Sequence, residues 1–278
     1  MSDVKNTRCF LGIRFWNGHC EKLICNADAL GGLFTCPSAP SLAEMRLDPF
    51  LRRSYQASDW AVVDGGYVAL ILRHILRNPI ERISGLQILQ RLFGISYPKA
   101  LPFEDRKILW VVPNPAEQTR IANYTASVGL DPKNQSYYQA PFYREDQDYE
   151  DKELLGVTKE TQADWVILCI GGGRQEKLGF CLRNALQSEQ FTPNGRKKGP
   201  VILCTGGAIA FLTGGQASIP SWADRFYLGW FYRIAQNPKV FLKRYWIAAW
   251  AFPILLLEER SRLFLASEDT RNAENTDG

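Results

Sequence analysis

Histidine and methionine are scarce in this chain of 278 residues, which has two of each, and no cysteine stands in a C-x-x-C pair. With only His19 and His74 to add to Cys9, Cys20, Cys25, Cys36, Cys169, Cys181 and Cys204, nothing supplies a tetrahedral zinc set. The odd cysteine count, partly inside strand-like apolar runs, reads as buried thiols in a reducing compartment rather than as a disulfide framework. Met1 to Arg8 contains no apolar segment of the kind a secretory signal needs, so a cytoplasmic location is expected. The apolar stretch Tyr245 to Leu257 falls short of the roughly 20 residues that cross a bilayer, and Pro253 interrupts it. A net charge of only +4 gives no bulk argument for wrapping nucleic acid. No Gly-x-Gly-x-x-Gly opens a βαβ unit with an acidic residue about 20 positions on, which argues against a nicotinamide enzyme.

What is present is an ordinary globular composition, 46% apolar and 22% charged, enough for a sizeable core. Strand-like runs at Cys9 to Phe15, Gly32 to Thr35, Trp60 to Val63, Ile108 to Val112, Trp165 to Ile170 and Val201 to Thr205 alternate with helical ones. That alternation predicts an α/β fold with a Rossmann-like, mostly parallel sheet flanked by helices. Helices are expected over Tyr67 to Arg77, from Ser84 to Gly94, and from Pro115 to Gly129, each with its own stop signal. Gly129 to Glu145 reads as an extended connection and Gln190 to Gly199 as an exposed turn. There is no internal repeat.

After Gly214 the composition changes. Trp222, Phe226, Tyr227, Trp230, Phe231, Tyr232, Trp246 and Trp250 interleave with Arg225, Arg233, Lys239, Lys243 and Arg244. Such a segment can lie among lipid headgroups, with Trp and Tyr at the interface and Lys and Arg against anionic lipid. It can equally be a helical pair packed on the main domain or on another subunit. The expected organisation is a core over residues 1–214, a C-terminal helical aromatic and basic appendage over 215–265, and a disordered polar tail over 266–278.

Asp64 sits where an apolar strand ends in a carboxylate, two glycines follow and an amphipathic run begins. In open parallel sheets the crevice beyond the carboxyl ends of the strands is the usual ligand site, and the N–H groups opening the next helix favour anions there. A strand-end aspartate is also commonly a helix cap. Three more pieces join it: Thr35-Cys-Pro-Ser-Ala-Pro-Ser after an early strand; Glu81-Arg82-Ile-Ser-Gly85-Leu-Gln87; and Gly171-Gly172-Gly173-Arg174-Gln175-Glu176 followed by Thr205-Gly206-Gly207. Each alone is weak. In this order, ending in Trp230-Phe231-Tyr232-Arg233 and Lys243-Arg244-Tyr245, the set resembles the WecG/TagA/CpsF family of bacterial glycosyltransferases over roughly Leu11 to Tyr245.

The resemblance implies inverting transfer of a hexosyl or N-acetylhexosaminyl group from a nucleotide-diphosphate donor, UDP-linked by expectation, to a polyprenyl-diphosphate-linked acceptor. It implies a peripheral position on the inner face of the plasma membrane, a role in cell-surface polysaccharide synthesis, and no cofactor or metal. The residues agree with it. Asp64 suits a general base toward an acceptor hydroxyl, and Arg82 suits a cation for the leaving diphosphate. Thr35, Gly65, Gly171, Gln175, Glu176, Gly206 and Gly207 are expected to line the donor site, with Arg233, Lys243 and Arg244 closing over the diphosphate or holding lipid. Glu176 can also simply favour the first turn of a helix. Gln87 stands where the family commonly has Asp, spaced to complete a capping box with Ser84. Pro37, Ala210 and Gly229 are further departures. They motivate the alternative of an inactive protein that binds a nucleotide or lipid-linked sugar and recruits partners to the membrane. A homo-oligomer stays open, and nucleic acid is not an expected partner.

Overall fold

Strands rich in Val, Ile, Leu and Trp build the centre of the molecule. The computed structural model describes residues 6–75, 80–94, 105–145, 147–215, 234, 238, 242–243 and 245–259, the side chains of residues 74 and 75 excepted. In chain order the elements are β1 (Thr7–Phe10), β2 (Ile13–Trp16), α1 (Cys20–Leu30), β3 (Gly32–Thr35), α2 (Ala39–Glu44), α3 (Pro49–Gln56), β4 (Trp60–Ala61), α4 (Gly66–Ile75) and α5 (Gly85–Leu92). Then come β5 (Ile108–Val112), α6 (Pro115–Ser127), β6 (Gln135–Gln139), α7 (Lys152–Glu160), β7 (Trp165–Leu168), α8 (Arg174–Ser188) and β8 (Val201–Cys204). Residues 245–259 are helical.

The eight strands form one sheet in the order β1-β2-β4-β3-β8-β7-β5-β6. All neighbours run parallel except β1 and β2. This is the expected Rossmann-like α/β architecture. Every residue of β3, β5, β7 and β8 is buried, as befits parallel strands covered by helices on both faces.

Two strands differ from the expectation. The run Cys9 to Phe15 is not one strand but a hairpin, because Leu11 (φ 55°) and Gly12 (φ 73°) both take the left-handed conformation of a tight two-residue turn. Within the connection expected from Gly129 to Glu145 lies β6, an edge strand whose sequence Gln-Ser-Tyr-Tyr-Gln buries only Tyr138. An edge strand carries half the burial of a central one, so its apolar signal is weak.

The turn expected at Gln190 to Gly199 is exposed at Gln190, Thr192, Asn194, Gly195 and Lys197, and it is anchored from within. Arg196 is 4% exposed and reaches under the sheet to Asp28 and Asp164, while the Asn194 amide donates to Asp164. Trp165 Nε1 donates to the same Asp28 at 2.9 Å, and Arg106 closes the group from outside. The network ties the amino ends of β7 and β8 to the end of α1.

Part of the C-terminal region packs on this core. Ala248, Phe252, Leu255 and Leu256 are buried in one cluster with Leu42, Leu51, Val68 and Leu72 of α2, α3 and α4. The Tyr67 hydroxyl donates to the Ala249 carbonyl at 2.7 Å, and Arg46 and Arg52 pair with Glu258 and Glu259. Among the described residues no helix is long and apolar enough to cross a membrane.

Replacing Arg196 by Ala leaves two buried carboxylates short of a cation and is expected to cost about 3–5 kcal/mol. The check is a lower urea midpoint at unchanged slope.

Candidate active site

Segments leaving the carboxyl ends of β3, β4, β7 and β8 meet over the middle of the sheet and enclose a cavity of about 180 Å³. Its walls include Cys36, Ser38 and Ser41 after β3, Asp64 to Val68 after β4, Gly172, Gln175 and Glu176 after β7, and Thr205 to Ala208 after β8. Arg82, Ser84, Leu86, Phe211 and Tyr245 complete it.

Backbone pairing places Asp64. Beyond β4 the chain stays extended, with Val62 N–H donating to the Thr35 carbonyl and Asp64 N–H to the Pro37 carbonyl, both at 3.1 Å. On the other side Val63 pairs in parallel with Arg82, and Ile83 N–H donates to the Val63 carbonyl at 3.2 Å. The carboxylate and the guanidinium therefore leave adjacent extended segments at the same end of the sheet and line one cavity. Gly65 then turns the chain at φ 97°, a conformation that strains any residue with a Cβ. The first turn of α4 opens directly on the cleft, where N–H groups and the helix dipole favour an anion.

Behind Arg82 the chain is fixed by a cap. Ser84 Oγ accepts from Gln87 N–H at 3.1 Å, and Gln87 Oε1 accepts from Ser84 N–H at 2.9 Å. Gln87 is thus spent on the capping box that its spacing indicates.

The two glycine turns are tied together by side chains. Gln175 Oε1 accepts from Gly206 N–H at 2.7 Å, while its amide donates to Glu176 Oε1 at 2.9 Å. Glu176 Oε2 accepts from Gly173 N–H at 2.6 Å. Both oxygens of this carboxylate, which is 1% exposed, are held by protein. Burial raises the Glu176 carboxyl above its ordinary value, against the opposing pull of Gln175, the local backbone and the Tyr55 hydroxyl. Burial also holds the Cys36 thiol well above its usual range, with the charges of Asp64 and Glu176 adding to the effect.

Among the expected site residues, Asp64, Arg82, Gly65, Gln175, Glu176, Gly206 and Gly207 come together around the cavity. Thr35, expected to offer its hydroxyl from a loop, is instead the fully buried last residue of β3, bonded to Ser58 Oγ at 2.9 Å. Gly171 is exposed just outside the lining, which begins at Gly172. Lys243 is exposed and not part of the lining, and Arg233 and Arg244 lie outside the described residues. The residues that sequence reasoning passed over are Ser38, Ser41, Thr205, Phe211 and Tyr245. Tyr245 had a signal, since it directly follows the Lys243-Arg244 pair; the serines had none beyond lying in the first loop.

The charged groups among the described lining residues are Asp64, Glu176 and Arg82. No group of three or more His, Cys, Asp or Glu able to hold a metal occurs among the described residues. The Asp-x-Asp spelled by Asp146, Gln147 and Asp148 falls in the acidic connection before α7, with Asp146 outside the described residues.

The profile described as the Glycosyl transferase WecG/TagA/CpsF family matches residues 8–264, a span that takes in every residue of the cleft. The chain belongs to the WecG/TagA/CpsF glycosyltransferase family. No curated protein matches it significantly. As a WecG/TagA/CpsF member it is a glycosyltransferase of cell-surface polysaccharide synthesis, and the cavity at the carboxyl rim of the sheet lies within the matched span.

Glu176 gives the candidate site a pH signature. Its folded-state pKa is raised, so between the ordinary glutamate value of 4.5 and that higher value the unfolded chain gives up its proton first. Native stability then falls as pH rises through this window. Glu176→Gln, which stays neutral, is expected to remove that decline, so that stability curves of the two proteins measured from pH 4.5 upward converge on the acid side and separate with increasing pH.

Proposed function

We propose that this enzyme transfers a hexosyl or N-acetylhexosaminyl group, with inversion, from a UDP-linked donor to a polyprenyl-diphosphate-linked acceptor. The observation that carries the reading is the adjacency of Asp64 and Arg82 on paired backbone segments at the mouth of one cavity. The acceptor hydroxyl oxygen forms a bond to the anomeric carbon and passes its proton to Asp64. The bond from that carbon to the diphosphate oxygen breaks, and the nucleoside diphosphate leaves with the electron pair. One in-line displacement inverts the centre.

The negative charge that develops on the leaving group is met by Arg82 and by the N–H groups at the start of α4. Arg233, Lys243 and Arg244 of the C-terminal region add positive charge in this reading, so that no metal is required. Tyr245 supports such a role, since it lines the cavity and belongs to the helical run 245–259.

The same helix supports a peripheral position on the inner face of the plasma membrane. One face is buried in the core, while Trp246, Ile247, Trp250, Ile254 and Leu257 remain between 44% and 65% exposed, with Leu242 just before them at 53%. Trp and Leu side chains on one helix face are suited to the boundary between headgroups and acyl chains. A lipid-linked acceptor would then reach the cleft from the side on which Tyr245 stands.

Asp64→Asn is expected to lower kcat by about 10²- to 10⁴-fold with donor affinity nearly unchanged, measured on a nucleotide sugar and a short-chain prenyl-diphosphate acceptor. Equal turnover by the two proteins would remove the general base and favour a protein that binds without catalysis. Changing Trp246 and Trp250 together to Ser leaves the buried face intact. It is expected to lower sedimentation with vesicles containing anionic lipid, and unchanged sedimentation would remove the anchoring role.

A further inference from the structure

The cavity is smaller than the roughly 300–1,000 Å³ of typical small-molecule sites. A nucleotide sugar seated with its anomeric carbon near Asp64 must therefore extend over the rim. Gly171 and Gly172 are exposed, and a Cβ built on Gly171 would meet no atom within 4 Å. Just beyond them stands Arg174, the first residue of α8.

Several features of Arg174 lack a structural explanation. Its guanidinium carbon lies 4.7 Å from the ring centre of Phe142, which is itself 74% exposed. Its Nε is buried without a hydrogen-bond partner. Among the described residues it makes no ion pair. A cation in the first helical turn also faces the unfavourable end of the helix dipole. A planar donor group over an aromatic ring, with no acidic partner, is suited to take phosphoryl oxygens in a forked geometry.

We propose that Arg174, laid on Phe142, is a diphosphate-binding residue at the glycine rim of the cleft, acting with Arg82 from across the cavity. This rests on the glycosyltransferase reading above and deepens it. The shared ligand chemistry is a diphosphate, whose source is the donor nucleotide or the acceptor lipid.

The test measures binding of UDP, of uridine and of a short-chain prenyl diphosphate to the full chain. The proteins compared are wild type, Arg174→Gln, Phe142→Leu, and Arg144→Gln as a control for loss of one charge from the same region. Melting temperatures without ligand establish that each variant is folded. The expected result is about a tenfold loss of affinity in Arg174→Gln, a smaller loss in Phe142→Leu, and no loss in the control. Loss for UDP but not uridine assigns Arg174 to the donor diphosphate; loss confined to the prenyl diphosphate assigns it to the acceptor. Undiminished binding of both diphosphates by a folded Arg174→Gln overturns the inference and leaves the general reading standing. A wild-type chain that binds neither diphosphate overturns both.

Discussion

Peptide hydrogen bonds on both sides of residues 62–64 hold the candidate site together. Thr35 and Pro37 receive the N–H groups of Val62 and Asp64, and Val63 receives that of Ile83. These bonds extend the sheet past β4 and bring in the segment that bears Arg82. Because the attachment is through backbone, the relative positions of carboxylate and guanidinium do not depend on long side-chain reach. The capping box of Ser84 and Gln87 then fixes where that segment turns into α5.

The opposite wall is held by different means. Gln175 and Glu176 spend their polar atoms on Gly206, Gly173 and each other. They read from sequence as hydroxyl-binding groups, whereas their geometry makes them the struts between two glycine turns. Each turn exposes backbone to the cavity, and the struts keep that backbone in place.

Much of this arrangement was legible in the residues. The buried strands at Ile108 to Val112, Trp165 to Leu168 and Val201 to Cys204 are continuous apolar runs, and Asp64, Gly172 and Gly206 fall just beyond strand ends. Edge features were not legible. Hairpin formation at Leu11 and Gly12 required a leucine with positive φ, which composition does not announce, and β6 carries too little apolar character to stand out. Thr35 misled for a related reason: a threonine at a strand end can face a loop or the core, and pairing with Ser58 decides for the core. Arg174 was visible as a residue of the motif, but its stacking on Phe142 joins segments more than thirty residues apart.

By itself the sequence determined the class of fold, the strand ends at which chemistry could sit, the cap at Ser84 and the family pattern. These depend on periodicity and on local hydrogen bonding between residues a few positions apart. Tertiary structure alone decided which strand-end residues share a cavity and which polar groups are already satisfied. It also decided that the aromatic C-terminal helix buries one face in the core while presenting the other to its surroundings. Strand order and side-chain partnership are properties of contacts between distant segments, and no local pattern encodes which of several equally apolar strands lies beside which.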